Sequence, residues 1–298
     1  MLTLALHHDE SVFVYLSEAQ KGKRTIKQLG FFSPEFVFDR TFLYQKDAGN
    51  LLSAMIKEIL QTLSLKKESV YFSFPGELVY TTFYEQVPRE KVQSVIDKDI
   101  WMTELKLGRP FIEQSDCQVK VLYRQKDEAD LTCIYYPKKV NELVMRACHD
   151  NHCEAVGLGI NIFNASEIAK HVFTGENYIV AELVNNTFEL VNVVKDRITG
   201  YTRFSSVNDH LLFYANNGDI PEGLPEALVS GKTDVLDQYK IFITGNSASI
   251  GHLHKLKNIH ANIRLLNPMS VNKTYIKPSE NFNEQYDTVF SSALGAMI

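Results

Sequence analysis

At 298 residues the chain has room for one large domain or two of ordinary size. Apolar residues make up 45% and charged residues 22%, the net charge is −5, and no Lys/Arg cluster breaks that balance, which speaks against a nucleic-acid binder. No apolar run approaches the roughly 18 residues of a membrane-crossing helix, and "MLTLALHHDE" lacks the basic region of a secretory leader.

Leu2–Leu6, Ser11–Leu16 and Arg24–Phe32 read as three short strands, linked by the polar "HHDE" and "EAQKGK". Leu51, Leu52, Met55, Ile56, Ile59, Leu60 and Leu63 recur at helical spacing and predict an amphipathic helix. "SVYFSFPG" follows as a strand stopped by Pro75-Gly76. Between these elements the Phe31–Tyr44 stretch is dense in aromatics and reads as core and its lid.

From Glu77 the order becomes β-α-β-β-α-β, the split-βαβ or ferredoxin-like order. "ELVYTTFYEQVP" alternates like a strand, and "PREKVQSVIDKDIWMTE" reads as a helix with Val92, Val95, Ile96 and Ile100 on one face. "DCQVKVLYRQ" and "DLTCIYYP" are strands, "KKVNELVMRACHDNH" a helix and "CEAVGLG" a short strand. We expect Glu77–Gly159 to form an inserted βαββαβ subdomain. It divides the chain into residues 1–76, 77–159 and 160–298.

"INIFNASEIAKHVF" then bridges, as a helix, to a three-stranded meander over Asn177–Phe204, whose turns are Asn185-Asn186 and Lys195-Asp196. Asn and Asp tolerate positive φ and bond to their own backbone, which suits tight turns. "SSVNDHLLFYANNG" and "GLPEALVSGKTDVLDQY" are expected to be helical or irregular. "KIFITG" is a buried strand, "SIGHLHKLKNI" a short helix, "ANIRLLNP" a strand and "NEQYDTVFSSALGAMI" a closing helix. Each half thus opens on a meander, passes a helix and enters a short apolar strand ending in Gly, "VYFSFPG" and "IFITG". The fold class is α/β, with two duplicated halves and an insertion.

This order resembles the actin-like ATPase superfamily, with its duplicated ribonuclease-H-like subdomains. Within it, the chain looks most like the PilM-like type IV pilus assembly proteins. "VYFSFPGELVYTTFYEQVP" resembles that family's run into its insertion and "CEAVGLGINIF" the exit. "NYIVAELVNNTFELVNVVKDRITGYTRF" resembles the hairpin opening its second half. "IFITGNSASIGHLHKL" resembles its glycine turn and "VFSSALGAMI" its C-terminal helix. A family of uncharacterised actin-like proteins fits the same pattern.

The resemblance implies a nucleotide held by two hairpin tips, each carrying Asp-x-Gly, since Gly admits the phosphates and Asp orders Mg²⁺. The first tip, "LALHHDES", has no Asp-x-Gly, and Asp9 lies beyond the expected place. At the second, Glu182 stands near the Asp position, while Val184 replaces the Gly and obstructs phosphate approach. The glycine turn keeps Gly245 and Gly251 without a double Gly. The expectation is a degenerate, non-hydrolysing member with no required cofactor. Any weak ATP/Mg binding would fall to Glu182, Asn185, Asn186, Thr187, Gly245 and Ser247. The alternative is an active Mg-ATP-dependent ATPase or sugar-kinase-like phosphotransferase.

Other constellations read as structural. "CHDNHC" over Cys148–Cys153 offers zinc ligand types, but the spacing departs from a zinc finger, so the bland reading places Cys148 in the core. Without a leader, Cys117, Cys133, Cys148 and Cys153 are expected as free thiols in the cytoplasm. His7-His8 reads as a solvated turn. His252, His254 and His260 do not share a helix face. "SGKTD" fails as a phosphate loop because Glu226 stands where the loop's first Gly belongs. The function this supports is a scaffold or adaptor binding another protein. The resemblance implies the cytoplasmic tail of a membrane protein as that partner, with a homodimer or self-assembly as further options. No catalytic residue and no metal site are expected.

Overall fold

The computed structural model describes residues 1–7, 10–20, 23–123, 127–172, 176–207, 210–231, 233–246, 249–268, 276–277 and 288–295. The first half runs β1 (Leu2–Leu6), β2 (Ser11–Gln20), β3 (Lys23–Phe32), α1 (Arg40–Leu43), α2 (Ala48–Thr62) and β4 (Ser69–Phe74). Next come β5 (Tyr80–Pro88), α3 (Val92–Leu107), α4 (Arg109–Glu113), β6 (Ser115–Tyr123) and β7 (Glu128–Pro137). Then follow α5 (Lys138–Asp150), β8 (Glu154–Ile160) and the bridging α6 (Asn161–Val172). The second half opens with β9 (Asn177–Val184), β10 (Thr187–Val194), β11 (Arg197–Val207) and β12 (His210–Gly218). It continues through α7 (Leu224–Ser230), α8 (Thr233–Leu236), β13 (Ile241–Gly245), α9 (Ile250–Ile259), β14 (Ile263–Leu265), β15 (Ile276–Lys277) and α10 (Ser291–Gly295).

Two six-stranded sheets carry the duplication, ordered β15-β3-β2-β1-β4-β8 and β12-β11-β10-β9-β13-β14. In each, a meander supplies the antiparallel part and a parallel strand joins its first strand: β4 beside β1, β13 beside β9. All five residues of β1 and all five of β13 are buried, as their continuous apolar runs require. On α2 the residues Leu52, Met55, Ile56, Ile59 and Leu60 are buried in one stripe. One core joins the first sheet, α2, α5, α6 and the inner faces of β9, β10 and β11; a second lies under α7 and α9. In the aromatic stretch Phe38 and Phe42 are in the core, and Phe36 stacks on Phe42 with centroids 4.2 Å apart.

Four expectations change. The insertion keeps the order β-α-β-β-α-β, but its own sheet is three-stranded, β5-β7-β6. The last strand, β8, pairs in parallel with β4, and α5 packs on α2, so both belong to the first half. Leu158 and Ile160 extend the first sheet's apolar surface, which gives the strand a larger face to cover there. Secondly, α3 sets Val92, Val95 and Ile96 against a small cluster of Val87, Ala129 and Leu131 as the shared face requires, but these and Ile100 are only half-buried. Its deepest residues are Asp99 and Thr103. The Asp99 carboxylate accepts hydroxyl hydrogen bonds from Thr82, Tyr84 and Tyr135 at 2.8, 2.6 and 2.6 Å, and a group with three donors takes the buried position in place of an aliphatic one. Thirdly, "HLLFYANNG" is a strand, β12, antiparallel to β11 at the sheet's edge. Lastly, β2 and β3 run longer than expected, to Gln20 and from Lys23.

Candidate functional site

The site grows from the β9–β10 hairpin. Asn185 adopts φ 55°, so two residues suffice to reverse the chain, and Val184 pairs with Thr187. Counting back from that turn places Glu182 directly opposite Glu189. On the next strand pair a bulge intervenes, because Asn192 pairs with Gly200 while Val193 pairs with Ile198, leaving Thr199 extra. The Asn192 amide donates to the Thr199 hydroxyl at 3.1 Å and fixes the bulge. As a result Arg203, not Thr202, stands opposite Glu189. Three adjacent strands therefore present a ladder of Glu182, Glu189 and Arg203 on one face.

The first half closes over this ladder. Gly76 follows β4 so closely that a Cβ there would lie 2.0 Å from Glu189 Oε2 and 2.5 Å from the Tyr201 hydroxyl. Tyr201 donates to the Gly76 carbonyl at 3.0 Å. Arg203 Nη2 meets Glu77 at 3.0 Å, its Nε lies 3.6 Å from Glu189, and its guanidinium sits 4.8 Å over the Tyr214 ring. His7, after β1, places Nδ1 3.9 Å from Glu182, and Ser292 of α10 donates to Glu182 at 2.8 Å. His7 is 2% exposed, so the solvated turn expected for His7-His8 is corrected; it faces a buried carboxylate across the cleft. His8 and Asp9 lie outside the described residues.

A cavity of about 310 Å³ separates these groups, lined by His7, Glu77, Asn161, Glu182, Glu189 and Arg203, with the hairpin tip at its rim. Burial pushes the Glu182 carboxyl up to about 8, with repulsion from Glu189 adding to it and the Ser292 hydroxyl opposing it. Burial likewise raises Glu189 to about 7; Arg203 opposes the shift and Glu77 reinforces it. The Tyr201 hydroxyl is also held well up by burial, and stays protonated as a donor.

The expected nucleotide residues come together only in part. Glu182, Val184, Asn185, Asn186 and Thr187 all line the cavity. Val184 is half-buried there, its side chain at the cavity wall. The Asn185 backbone N–H, a donor that a phosphate tip would offer, is given to Ser249 Oγ at 3.1 Å. Ser249 in turn donates to Asn246 at 2.7 Å, and Asn246 reaches Asn185 at 3.3 Å. Gly245 ends β13 beneath this network, and a Cβ on it would lie 2.1 Å from the Leu183 carbonyl. Gly245 thus serves strand packing; it does not line the cavity. Ser247 lies outside the described residues.

Among the described residues no group of three or more His, Cys, Asp or Glu is arranged to hold a metal. Cys148 is in the core, His149 projects into solvent, and His152 takes φ 56° in the turn after α5. Cys117, Cys133, Cys148 and Cys153 are free thiols. The sequence alone does not mark Glu77, Glu189, Tyr201 or Arg203 as site residues, and it reads His7 as part of a turn. The signal for Glu189 was present, because a two-residue turn at Asn185-Asn186 fixes its partner. Those for Glu77 and Arg203 required the tertiary arrangement.

No protein-family model and no curated protein matches this chain in sequence. Solved structures do match in shape. The PilM–PilN type IV pilus biogenesis complex aligns over 99% of this chain and 96% of that chain, at 14% identity and a TM-score of 0.69. The cytoplasmic domain of EpsL, an inner membrane component of the type II secretion system of Vibrio cholerae, aligns over 96% and 92%, at 9% identity and a TM-score of 0.46. A protein of unknown function from Bacteroides thetaiotaomicron aligns over 90% of both chains, at 11% identity and a TM-score of 0.46. The fold is the actin-like ATPase fold, as the sheet orders and the alignment to the pilus protein show.

Proposed function

We propose that this actin-like chain is a non-catalytic scaffold that binds another protein, on the cytoplasmic side of a pilus- or secretion-type assembly. The observation that carries the reading is the state of the phosphate end of the cleft. Val184 stands at the tip, the Asn185 amide is spent on Ser249, and two carboxylates, Glu182 and Glu189, occupy the floor. Phosphoryl transfer depends on placed positive charge, and here the cation of the ladder, Arg203, is paired with Glu77 and Glu189. Any ATP/Mg binding at Glu182, Asn185, Asn186 and Thr187 would be weak and unproductive.

The partner reading is supported by the likeness to a protein solved as a complex, the pilus biogenesis pair. The insertion offers a docking edge. In the order β5-β7-β6, β5 packs beside β11 and β12, while β6 ends the sheet. An extended tail of a membrane protein would add as a strand there, through main-chain hydrogen bonds. The test is hydrogen exchange on the full chain with synthetic tails of membrane proteins encoded beside it. Slowed exchange in β6 is the expected outcome. Binding of none of these tails, or protection only outside the insertion, would contradict the reading. A homodimer through the same edge would show as protection that grows with protein concentration.

A further inference from the structure

We propose that the cleft between the two halves takes a small organic cation, an ammonium or guanidinium group, against Glu182, Glu189 and Asn161. The lining is rich in acceptors. Three carboxylates, Glu77, Glu182 and Glu189, face one guanidinium, Arg203, and one imidazole, His7. Arg203 is engaged on both sides by Glu77 and Glu189 and stacked on Tyr214, so its charge is spent within the wall. Asn161 supplies an independent pointer to a donor-bearing ligand. It is 1% exposed, and its Nδ2 donates to the Leu6 carbonyl at 2.7 Å, which fixes the amide plane. Its Oδ1 is buried with no protein partner, at the wall of the cavity. A buried acceptor in that position costs free energy until a donor reaches it.

Ammonium and guanidinium groups carry donors only, and their hydrogen bonds to carboxylates are charge-assisted. A polyphosphate would bring further acceptors and negative charge to a wall that already has both. A bare divalent ion fits less well, since the described residues hold no ligand cluster for one. Around the Glu182–Glu189 pair, Glu189 of β10 is met by Arg203 and Tyr201 from β11 and by Glu77 from the turn after β4, and Glu182 of β9 by His7 just after β1 and Ser292 from α10. In that setting the two buried carboxyls hold protons near neutral pH, and an arriving cation displaces one. Binding therefore releases a proton and tightens as pH rises. This inference stands independently of any protein partner.

Agmatine, which carries both groups, is the probe. We would titrate it calorimetrically into the full chain below and above neutral pH, in two buffers of different ionisation enthalpy. One proton released per agmatine is expected, with affinity rising by up to about tenfold per pH unit. Glu182→Gln combined with Glu189→Gln, both isosteric, should weaken binding and abolish the release; Asn161→Ala should weaken binding and keep it. Absence of binding at millimolar agmatine to a folded protein would overturn the inference. So would proton uptake on binding, or equal affinity in both folded variants. A response to Mg-ATP alone would overturn both this inference and the scaffold reading, whereas silence to both ligands overturns only the inference.

Discussion

Glu182 and Glu189 give the cleft its pH response. Both are buried and held above the ordinary carboxylate range, so the native state binds protons that the unfolded chain releases. Their contribution to stability is therefore fully present in acid, below the unfolded value, and is lost as pH rises through neutrality towards about 8. Glu182→Gln removes the cost of ionising one of the pair. It should raise the melting temperature at alkaline pH and leave it little changed at acid pH, in a thermal denaturation series. A gain of equal size at both ends would mean that Glu182 is not held protonated. Arg203 works in the opposite sense. Arg203→Met leaves Glu77 and Glu189 facing each other and should cost about 3–5 kcal/mol at alkaline pH. Urea denaturation should show that cost shrinking in acid, where Glu189 takes up its proton.

The β9–β10–β11 meander sets which groups meet. Register follows from turn length, and a slip of one residue turns every side chain to the other face. Deleting Thr199 would remove the bulge and its hydrogen bond to Asn192, while the pairs on either side, Val193 with Ile198 and Asn192 with Gly200, keep Arg203 opposite Glu189. We expect that variant to keep the Arg203–Glu77 link and to unfold at lower denaturant through loss of the Asn192–Thr199 contact, with the largest spectral changes around the start of β11. Gly245→Ala tests a second element contact. The Leu183 carbonyl stands 2.1 Å from where the Cβ would go, and backbone cannot move aside cheaply. A loss of about 1–3 kcal/mol is expected from urea titration.

Legibility also divides at this scale. The meander was readable because Asn185-Asn186 and Lys195-Asp196 mark its turns, and Glu182 opposite Glu189 follows from arithmetic. The bulge was not, since Thr199 carries no turn signal and is held by Asn192 across the strand. Strand β12 was missed because its residues include Asn216, Asn217 and Gly218 and much of it is exposed at an edge, so no alternating apolar pattern announces it. His7 was misplaced because a residue just after a strand reads as a turn, whereas the second half folds over it. The four-stranded insertion was overcounted because local order cannot say which sheet β8 will join.

At the scale of the whole molecule, duplication builds two sheets around α6 and α10 and leaves one cleft between them. In this chain the cleft is joined across by Arg203 to Glu77 and by Tyr201 to Gly76, and its floor is acidic. On α10, a Cβ on Gly295 would lie 1.8 Å from the Asn164 carbonyl of α6. That close approach ties the C-terminal helix to the bridge between the halves. The proposed scaffold role requires that this cleft, on an actin-like fold, does not hold a nucleotide. Thermal unfolding of the full chain with and without millimolar Mg-ATP tests it most directly, since a ligand that binds only the native state must raise the apparent stability. An unchanged melting temperature is the predicted result. An upward shift of several degrees that requires Mg²⁺ would contradict the claim and favour the ATPase or phosphotransferase reading.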